Sequence, residues 1–226
     1  MNGIKVLILD FDNCLILDQK TREGSEELKD KAWFEVFSEY DPDILKSMIE
    51  TAKKEFVGGK GDRNGLIISL CRRFGIEDSK IKEESIKRLS HFDEIMQRGI
   101  KEIGISKEVR DFLSTFSSKI SIYLNTATPV ENASRSLDLL GIREFFKGIY
   151  GRPGTKLDNM KAILASEPVN PDEILFVDDQ EDSRQIAKEL GCKFVGIHTA
   201  RNKVWHENPQ PFPIIRSIEE LSDLVI

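Results

Sequence analysis

The 226-residue sequence has little of the material on which several protein classes depend. Its three cysteines, Cys14, Cys71 and Cys192, are scattered and odd in number, which suits a reducing cytoplasm rather than a disulfide framework. Its three histidines share no spacing typical of metal ligands. The apolar run at residues 4–9 is too short for a membrane span or a signal peptide. We therefore expect a cytoplasmic protein that has no membrane partner.

The sequence also lacks an excess of positive charge. Its net charge of −6 argues against nucleic acid and acidic membrane surfaces as partners, because neither attracts an acidic protein. No internal repeat or low-complexity tract is present. At 226 residues the chain can bury a substantial core, either as one domain or as a core with an insertion. We expect a monomer or a small homo-oligomer whose partner is a small molecule.

Two acids follow an apolar run near the start of the chain. Residues 6–9 are Val-Leu-Ile-Leu, which is typical of a strand covered on both faces in a parallel sheet, and Asp10 and Asp12 come directly afterwards. Open α/β sheets bind ligands at this end of their strands. Two carboxylates close together repel each other unless a cation is bound, most often Mg²⁺. The simpler alternative is that these acids only form a turn.

Three later segments repeat this arrangement of an apolar stretch beside reactive side chains. Residues 120–124 are followed by Asn125 and Thr126. Lys156 comes just before an amphipathic stretch. Residues 174–177 are followed by Asp178 and Asp179. The chain therefore presents an acid pair, a hydroxyl, a lysine and a second acid pair in that order.

This ordered set resembles the motifs of the haloacid dehalogenase-like phosphohydrolase superfamily, and the resemblance covers the whole chain. It implies an α/β fold, with a Rossmann-like parallel sheet core and a helical cap of the C1 type inserted after the first strand. It also implies a Mg²⁺-dependent phosphatase that acts on a small phosphorylated metabolite.

The resemblance assigns a role to each motif of the reaction. Asp10 would be the nucleophile that forms an aspartyl-phosphate. Asp12 would protonate the leaving oxygen and then deprotonate the attacking water. Thr126 would donate a hydrogen bond to a phosphoryl oxygen, and Lys156 would neutralise the phosphate and the nucleophile.

The resemblance also implies a metal site made of oxygen ligands. Asp179 and Asp178 would complete the coordination shell of Mg²⁺ together with Asp10 and the backbone carbonyl of Asp12. The metal would shield the nucleophile from the phosphate and orient both.

Other roles are open for several of these residues. Thr126 is also a good N-cap for a helix that begins near Pro129, and Asn125 takes its place at the phosphate if the motif is shifted by one residue. Lys156 near a helix start is also an ordinary position for a solvated lysine. Asn13 stands where the family most often has glycine, and it tolerates the left-handed backbone that glycine supplies.

The pattern between the first and second motifs is helical. Residues 18–103 carry apolar residues at helix-like spacing and little strand character, whereas residues 1–17 and 104–226 form the predicted core. Pro42 after Asp41 predicts a helix start, with aspartate as the cap and proline in the first turn. We interpret residues 18–103 as the cap domain.

A glycine-rich stretch at residues 57–65 is the most suggestive part of the predicted cap. It contains Lys60 and Arg63 among its glycines, so that backbone amides and two cations can face a ligand. We therefore treat Lys60 and Arg63 as candidate substrate-binding residues. The alternative is an exposed loop between helices whose charges are solvated.

Two other functions share most of these motifs. A sugar phosphomutase of the same superfamily has a histidine a few residues before the Ala-Trp pair, but here Leu-Lys-Asp-Lys precedes Ala32 and Trp33. A receiver-like or silent phosphate-binding module would have its acid pair before the phosphoacceptor, or would have lost Asp10 or Asp12. The acid at Asp12 also separates the chain from the dehalogenases, which lack it. Hydrolysis of a phosphate ester is the function that we predict.

Overall fold

A computed structural model describes residues 3–55 and 63–225 of the chain. Among these residues, six parallel strands form one sheet in the order β3-β2-β1-β4-β5-β6. The strands are β1 (Val6–Leu9), β2 (Ser121–Pro129), β3 (Gly148–Arg152), β4 (Ile174–Asp178), β5 (Lys193–Ile197) and β6 (Ile214–Ile215). The architecture is the Rossmann-like α/β fold that the sequence predicts.

The two central strands are buried along their whole length. Every residue of β1 and of β4 is buried, which fits the apolar sequence of β1 and that of β4 up to its last residue, Asp178. In the register, Leu9 lies opposite Leu124 of β2 on one side and Val177 of β4 on the other. The chain runs outward from β1 to β2 and β3 and then returns to the other side of β1. A reversal of strand order of this kind creates a crevice beyond the carboxyl ends of the strands.

The helices of the described chain are numbered in chain order. They are α1 (Ser25–Val36), α2 (Pro42–Glu55), α3 (Arg63–Arg73), α4 (Asp78–Ile103), α5 (Lys107–Phe116), α6 (Val130–Leu139), α7 (Lys156–Ser166), α8 (Glu181–Leu190), α9 (Val204–Glu207) and α10 (Ser222–Val225). Within the described ranges, none of the helices combines the length and the hydropathy of a membrane span.

Alternate residues of the central strands pack against the helices of the core. Val6 and Ile8 of β1 join Ile174 and Phe176 of β4 in one buried apolar cluster. Helices α7 and α8 and the segment around Trp205 complete it, with Met160, Ile163 and Ala187. Each large side chain buried here contributes about 1.5–3 kcal/mol to the stability of the fold.

The described chain divides into two compact units. One consists of the residues up to Glu26 together with those from Ile100 onward, and the other, the helical unit, is Glu27–Gly99. Aromatic residues form much of the helical unit's interior, with the Trp33 and Phe92 rings 4.8 Å apart. Helix α2 begins at Pro42 and is capped by Asp41, whose Oδ1 accepts from two backbone N–H groups at 3.0 and 3.1 Å. The predicted helix start is therefore confirmed.

Residues 17–24 form a hairpin that belongs to the core unit. Leu17 and Gly24 form an antiparallel bridge, and the Arg22 guanidinium donates to the backbone carbonyls of His198 and Arg216. The carbonyl of Arg22 in turn accepts from the N–H of Ala200 at 2.9 Å. These long-range bonds explain why the helical unit begins later in the chain than residue 18.

Candidate active site

The four predicted motifs come together at the carboxyl ends of the central strands. Asp10 follows β1, and its backbone N–H donates to the carbonyl of Val177 at 3.0 Å. Asp178 is the last residue of β4, and Asp179 follows it. Lys156 is the first residue of α7. The parallel register explains this meeting, because it brings strands from distant parts of the chain to one level.

Lys156 connects the two acid pairs. Its Nζ lies 3.0 Å from Oδ1 of Asp10 and 2.6 Å from Oδ2 of Asp178, and it also donates to the Ser183 hydroxyl at 3.4 Å. Burial disfavours the charged ammonium, but the two carboxylates outweigh it and raise the Lys156 pKa. Lys156 is therefore a permanent positive charge in the site, not a solvated residue at a helix start.

A buried group of acids surrounds this lysine. Carboxylate oxygens of Asp10, Asp178 and Asp179 all lie within 4.8 Å of one another. Burial raises the pKa of Asp10 well above its ordinary value, and the nearby lysine offsets this only in part. Burial and the neighbouring Asp178 raise the pKa of Asp179 to about 8. Three ionised carboxylates would put more negative charge into the site than one lysine can balance, and this repulsion contributes to the raised pKa values.

The donor set of this site fits a hard cation. Within residues 3–55 and 63–225, Oδ2 of Asp10 and Oδ1 of Asp179 are buried and have no hydrogen-bond partner. Oδ1 of Asp10 is held only by its ion pair with Lys156. Buried carboxylate oxygens without partners are costly unless a cation binds them. Oxygen ligands favour Mg²⁺ over softer metals.

Asp12 lies beside these acids but has its own partners. Its Oδ1 accepts from the Ser25 hydroxyl at 2.6 Å, and its Oδ2 accepts from the Thr128 hydroxyl at 2.8 Å. All three residues are buried. The two acids of the first motif therefore differ, because Asp10 faces the lysine and Asp12 faces hydroxyl groups.

The two polar residues of β2 have different surroundings. The Thr126 hydroxyl oxygen accepts from the N–H of Thr128 at 3.0 Å, which leaves its proton to be donated. The Asn125 side chain is engaged at both ends, since it donates to the Lys156 carbonyl at 2.9 Å and accepts from Asn159 at 3.0 Å. Asn125 thus fastens the start of α7 to β2, and Thr126 is the residue with a hydroxyl proton to offer.

The turn after Asp12 contains Asn13 and Cys14. Asn13 has a φ of 55°, so the left-handed backbone predicted for this position is confirmed. The Cys14 thiol is buried and donates to the Val177 carbonyl at 3.6 Å. Burial and the adjacent Asp10 raise its pKa well above the ordinary value of a thiol. A thiol in this state is a poor nucleophile.

The structure describes one member of the candidate substrate-binding pair. Lys60 falls outside the described residues, and so does most of the glycine-rich stretch. Arg63 begins α3 in the helical unit, where it forms a 2.6 Å ion pair with Asp93 and its guanidinium lies 4.3 Å from the centre of the Phe92 ring. These contacts give Arg63 a structural role within the helical unit.

Sequence analysis missed several residues that hold the site together. Ser25, Thr128 and Asn159 each bond a predicted site residue. A signal existed for Thr128, because alternate residues of a strand share a face and Thr126 stands two positions before it. Ser25 precedes a helical pattern and was visible only as a helix start. Asn159 carries no recognisable signal.

A comparison with protein-family models identifies the chain's relatives. The model of the haloacid dehalogenase-like hydrolases matches residues 7–197. This span contains the core site residues and the helical unit. A search of curated protein sequences gives no significant match.

Solved structures share the fold over nearly the whole chain. A magnesium-bound HAD hydrolase from Bacillus subtilis is 16% identical, with a TM-score of 0.67 and 99% of each chain covered. A candidate β-phosphoglucomutase from Thermotoga maritima is 18% identical, with a TM-score of 0.69 and 98% of each chain covered. A predicted phosphoglycolate phosphatase from Haemophilus somnus is 15% identical, with a TM-score of 0.67 and 99% of each chain covered. With the family match, these structures lead to one conclusion: the chain belongs to the haloacid dehalogenase-like hydrolases.

Proposed function

We propose that this protein is a Mg²⁺-dependent phosphatase that hydrolyses a small phosphorylated metabolite. One observation carries the proposal. The buried carboxylate of Asp10 is ion-paired with Lys156 through one oxygen, and its other oxygen has no hydrogen-bond partner in the described part of the chain. A carboxylate held in this way is available as a nucleophile beside a fixed positive charge.

The reaction would proceed in two displacements. In the first, an oxygen of Asp10 forms a bond to phosphorus while the bond from phosphorus to the ester oxygen breaks, and Asp12 gives that oxygen a proton. In the second, water attacks phosphorus and loses a proton to Asp12. The bond between Asp10 and phosphorus breaks, which releases phosphate and restores the Asp10 carboxylate.

Two further residues would stabilise the transferring phosphoryl group. Thr126 would donate its hydroxyl proton to a phosphoryl oxygen. Lys156 would balance the charge that the phosphate brings into a site already rich in carboxylates. Asn125 would act indirectly, because its side chain holds the backbone carbonyl of Lys156.

The metal ligands would be Asp10, Asp178, Asp179 and the backbone carbonyl of Asp12. Bound Mg²⁺ supplies positive charge that offsets the repulsion between the nucleophile and the phosphate. The buried oxygens of Asp10 and Asp179 that have no partner among the described residues support this ligand set.

The known relatives leave the chemistry open, since solved structures of the same fold include a candidate mutase and a 2-haloacid dehalogenase from Pseudomonas syringae. The hydrogen-bonded acid at Asp12 favours a phosphate ester, whose leaving oxygen needs a proton. The lack of a histidine just before Ala32 and Trp33 favours hydrolysis over a mutase reaction. We also propose a cytoplasmic location and no nucleic-acid partner, on the charge and cysteine content.

The experiment is to incubate the purified protein with Mg²⁺ and a panel of phosphate esters and to measure inorganic phosphate. We expect many turnovers on at least one ester, loss of activity in excess chelator, and loss in Asp10→Asn. A single stoichiometric phosphorylation would indicate a receiver-like module instead. Interconversion of sugar phosphates without phosphate release would indicate a mutase. Absence of any reaction with a folded, Mg²⁺-loaded protein would refute the proposal.

A further inference from the structure

The carboxylate of Asp12 is held by two hydroxyl groups from different parts of the core unit. Ser25 donates to Oδ1 at 2.6 Å and Thr128 donates to Oδ2 at 2.8 Å. Thr128 is 116 positions from Asp12 in sequence. An aspartate side chain has only two torsion angles, so two donors that reach it from separate elements fix the plane of its carboxylate.

The Ser25 hydroxyl is itself held in place by the turn that carries Asp12. The side chain of Asn13 accepts from the N–H of Glu26 at 2.9 Å, so two consecutive residues of the turn bond two consecutive residues at the start of α1. Gly24 permits this close approach, since a Cβ there would collide with the Ile16 carbonyl and the Asn13 side chain. Ser25 therefore has little freedom to move away from Asp12.

The Thr128 hydroxyl is fixed by β2. Its backbone N–H donates to the Thr126 hydroxyl at 3.0 Å, and its side chain is buried. Thr126 and Thr128 are both buried and Ala127 between them is exposed, so the threonine expected to bond the phosphate and the threonine that bonds Asp12 lie on the same side of this part of β2. The strand thereby sets the position of Asp12 relative to Thr126.

We infer that Thr128 and Ser25 are positioning residues that hold Asp12 in the orientation from which it exchanges protons with the leaving group and with water. The inference rests on the proposed role of Asp12. A hydroxyl can donate to a carboxylate and can also accept from a carboxylic acid, whereas an ammonium or a backbone N–H can only donate. Two hydroxyls therefore hold Asp12 both before and after it gives up its proton.

The test compares two kinds of substrate on matched variants. Thr128→Val removes the hydroxyl at nearly constant volume, and Thr128→Ser retains it. Ser25→Ala provides the second removal. The substrates are p-nitrophenyl phosphate, whose leaving group departs without protonation, and the best alkyl phosphate of the ester panel, whose leaving group requires a proton. Melting temperatures of all variants monitor folding.

We expect Thr128→Val to slow the first displacement on the alkyl phosphate, followed in single turnovers, by about tenfold to a hundredfold, with little change in substrate affinity, because the acid is misplaced rather than the substrate. On p-nitrophenyl phosphate, the single-turnover release of p-nitrophenol should slow by less than about threefold, while kcat falls on both substrates wherever the second displacement, which uses Asp12 as the base, limits turnover. Thr128→Ser should restore both rates, and Ser25→Ala should resemble Thr128→Val. An equal slowing of the first displacement on both substrates would mean a merely structural role and would overturn the inference.

The inference can fail separately from the proposed function. Asp12→Asn should show the same selective slowing of the first displacement on the alkyl phosphate, only larger. If Asp12→Asn loses activity selectively and Thr128→Val does not, the positioning inference is wrong and the role of Asp12 stands. If Asp12→Asn is as active as the wild type on both substrates, Asp12 is not the acid-base residue and the positioning inference is wrong as well.

A crystal structure of Thr128→Val tests the same geometry without an activity measurement. We expect the Asp12 carboxylate to turn away from its wild-type plane, with Ser25 as its remaining hydroxyl donor. An unchanged Asp12 orientation would overturn the inference whatever the enzyme assays show.

Discussion

The ammonium group of Lys156 lies 2.6 Å from Oδ2 of Asp178, closer than its 3.0 Å approach to Asp10. The other oxygen of Asp178 accepts from the N–H of Gln180 at 3.0 Å. Both oxygens of Asp178 are therefore engaged, whereas Oδ1 of Asp179 is buried with no hydrogen-bond partner in the described ranges. Asp179 is the acid with more capacity left for a cation.

The greater capacity of Asp179 for a cation predicts that this residue is needed for Mg²⁺ to stabilise the fold. At a free concentration about 100 times its Kd, Mg²⁺ should add about 2.7 kcal/mol to the free energy of unfolding. For a chain of this size that corresponds to a rise of roughly 5–10 °C in melting temperature. Asp179→Ala should lose most of the rise, while the exposed Asp182, changed to alanine, should retain it. Equal shifts in the two variants would remove Asp179 from the metal site.

Asp10→Asn should abolish turnover and leave the fold intact, since the amide is nearly isosteric but cannot attack phosphorus. We expect a loss of at least about a thousandfold in kcat, measured beside circular dichroism to confirm folding. Cys14→Ala is the matched control. It removes a buried thiol near Asp10, which is the other side chain of this turn that could be taken for a nucleophile, and it should retain most of the activity. More than a few per cent of activity in purified Asp10→Asn would refute its role as nucleophile.

Substitutions of Thr126 and Asn125 should differ in their effect on catalysis. Thr126→Val should lower kcat by about a hundredfold because it removes a donor to the phosphoryl group. It should also lower the free energy of unfolding by about 1–3 kcal/mol, because the buried N–H of Thr128 loses its acceptor. Asn125→Ala should lower the free energy of unfolding by about 1–3 kcal/mol, since Asn159 and the Lys156 carbonyl lose their buried partner. If Asn125→Ala melts like the wild type and Thr126→Val keeps full activity, Asn125 is the phosphate ligand.

Glu167 should make stability depend on pH. Burial alone would raise its pKa, but hydrogen bonds from Lys147 and Tyr123 outweigh burial and hold the pKa below its ordinary value of 4.5. A carboxyl group with a lowered pKa stabilises the fold above its unfolded pKa and loses that contribution as the pH falls through the folded pKa. Glu167→Gln should thus be less stable than the wild type by up to about 1 kcal/mol at pH 7, since the exposed Lys147 is screened by solvent.

Urea unfolding at two pH values checks this prediction. The difference between Glu167→Gln and the wild type should be present at pH 7 and should shrink as the pH falls below 4.5 and through the lowered pKa of the folded state, because the wild-type carboxyl group then takes up a proton in both states. A constant difference at both pH values would show that the packing of the side chain, and not its charge, is responsible.

Substitutions of Lys60 and Arg63 should affect different properties: substrate recognition for Lys60 and stability for Arg63. Arg63→Ala removes the ion pair with Asp93 and the contact with the Phe92 ring, so we expect a lower free energy of unfolding, by about 1–2 kcal/mol. Lys60→Ala should instead lower kcat/KM on the best ester of the panel by roughly tenfold and change p-nitrophenyl phosphate hydrolysis far less. If Lys60→Ala changes the hydrolysis of neither substrate, residues 57–65 are a solvated loop and not a substrate-binding segment.

Much of the core could be predicted because its signals are local. Two apolar strands, each followed by an acid pair, required only the rule that parallel strands end at one edge of the sheet. The left-handed turn at Asn13 and the helix start at Pro42 follow from the backbone preferences of single residues. Such features depend on a few neighbouring residues, and a single sequence records them.

Other features depend on bonds between distant parts of the chain. The hydrogen bond between Asp12 and Thr128 spans 116 positions, and nothing in the first motif specifies a threonine there. The hairpin around Arg22 was included in the predicted helical range, yet its guanidinium bonds the carbonyls of His198 and Arg216 in the core unit. Asn125 was an alternative phosphate ligand because the motif could be shifted by one residue, and its bonds to the Lys156 carbonyl and to Asn159 join residues 31 and 34 positions apart.

The position of β1 in the middle of the sheet has a consequence for folding kinetics. Val6 pairs with Ser121 on one side and with Ile174 on the other, so both edges of β1 are covered only by strands that lie more than 100 residues later in the chain. Pairings of such long range slow the folding of a domain, and an apolar strand with open edges is prone to aggregate in the interval. Chains truncated before β4 should therefore aggregate rather than retain partial activity, because the strand that carries Asp10 would keep an unpaired edge.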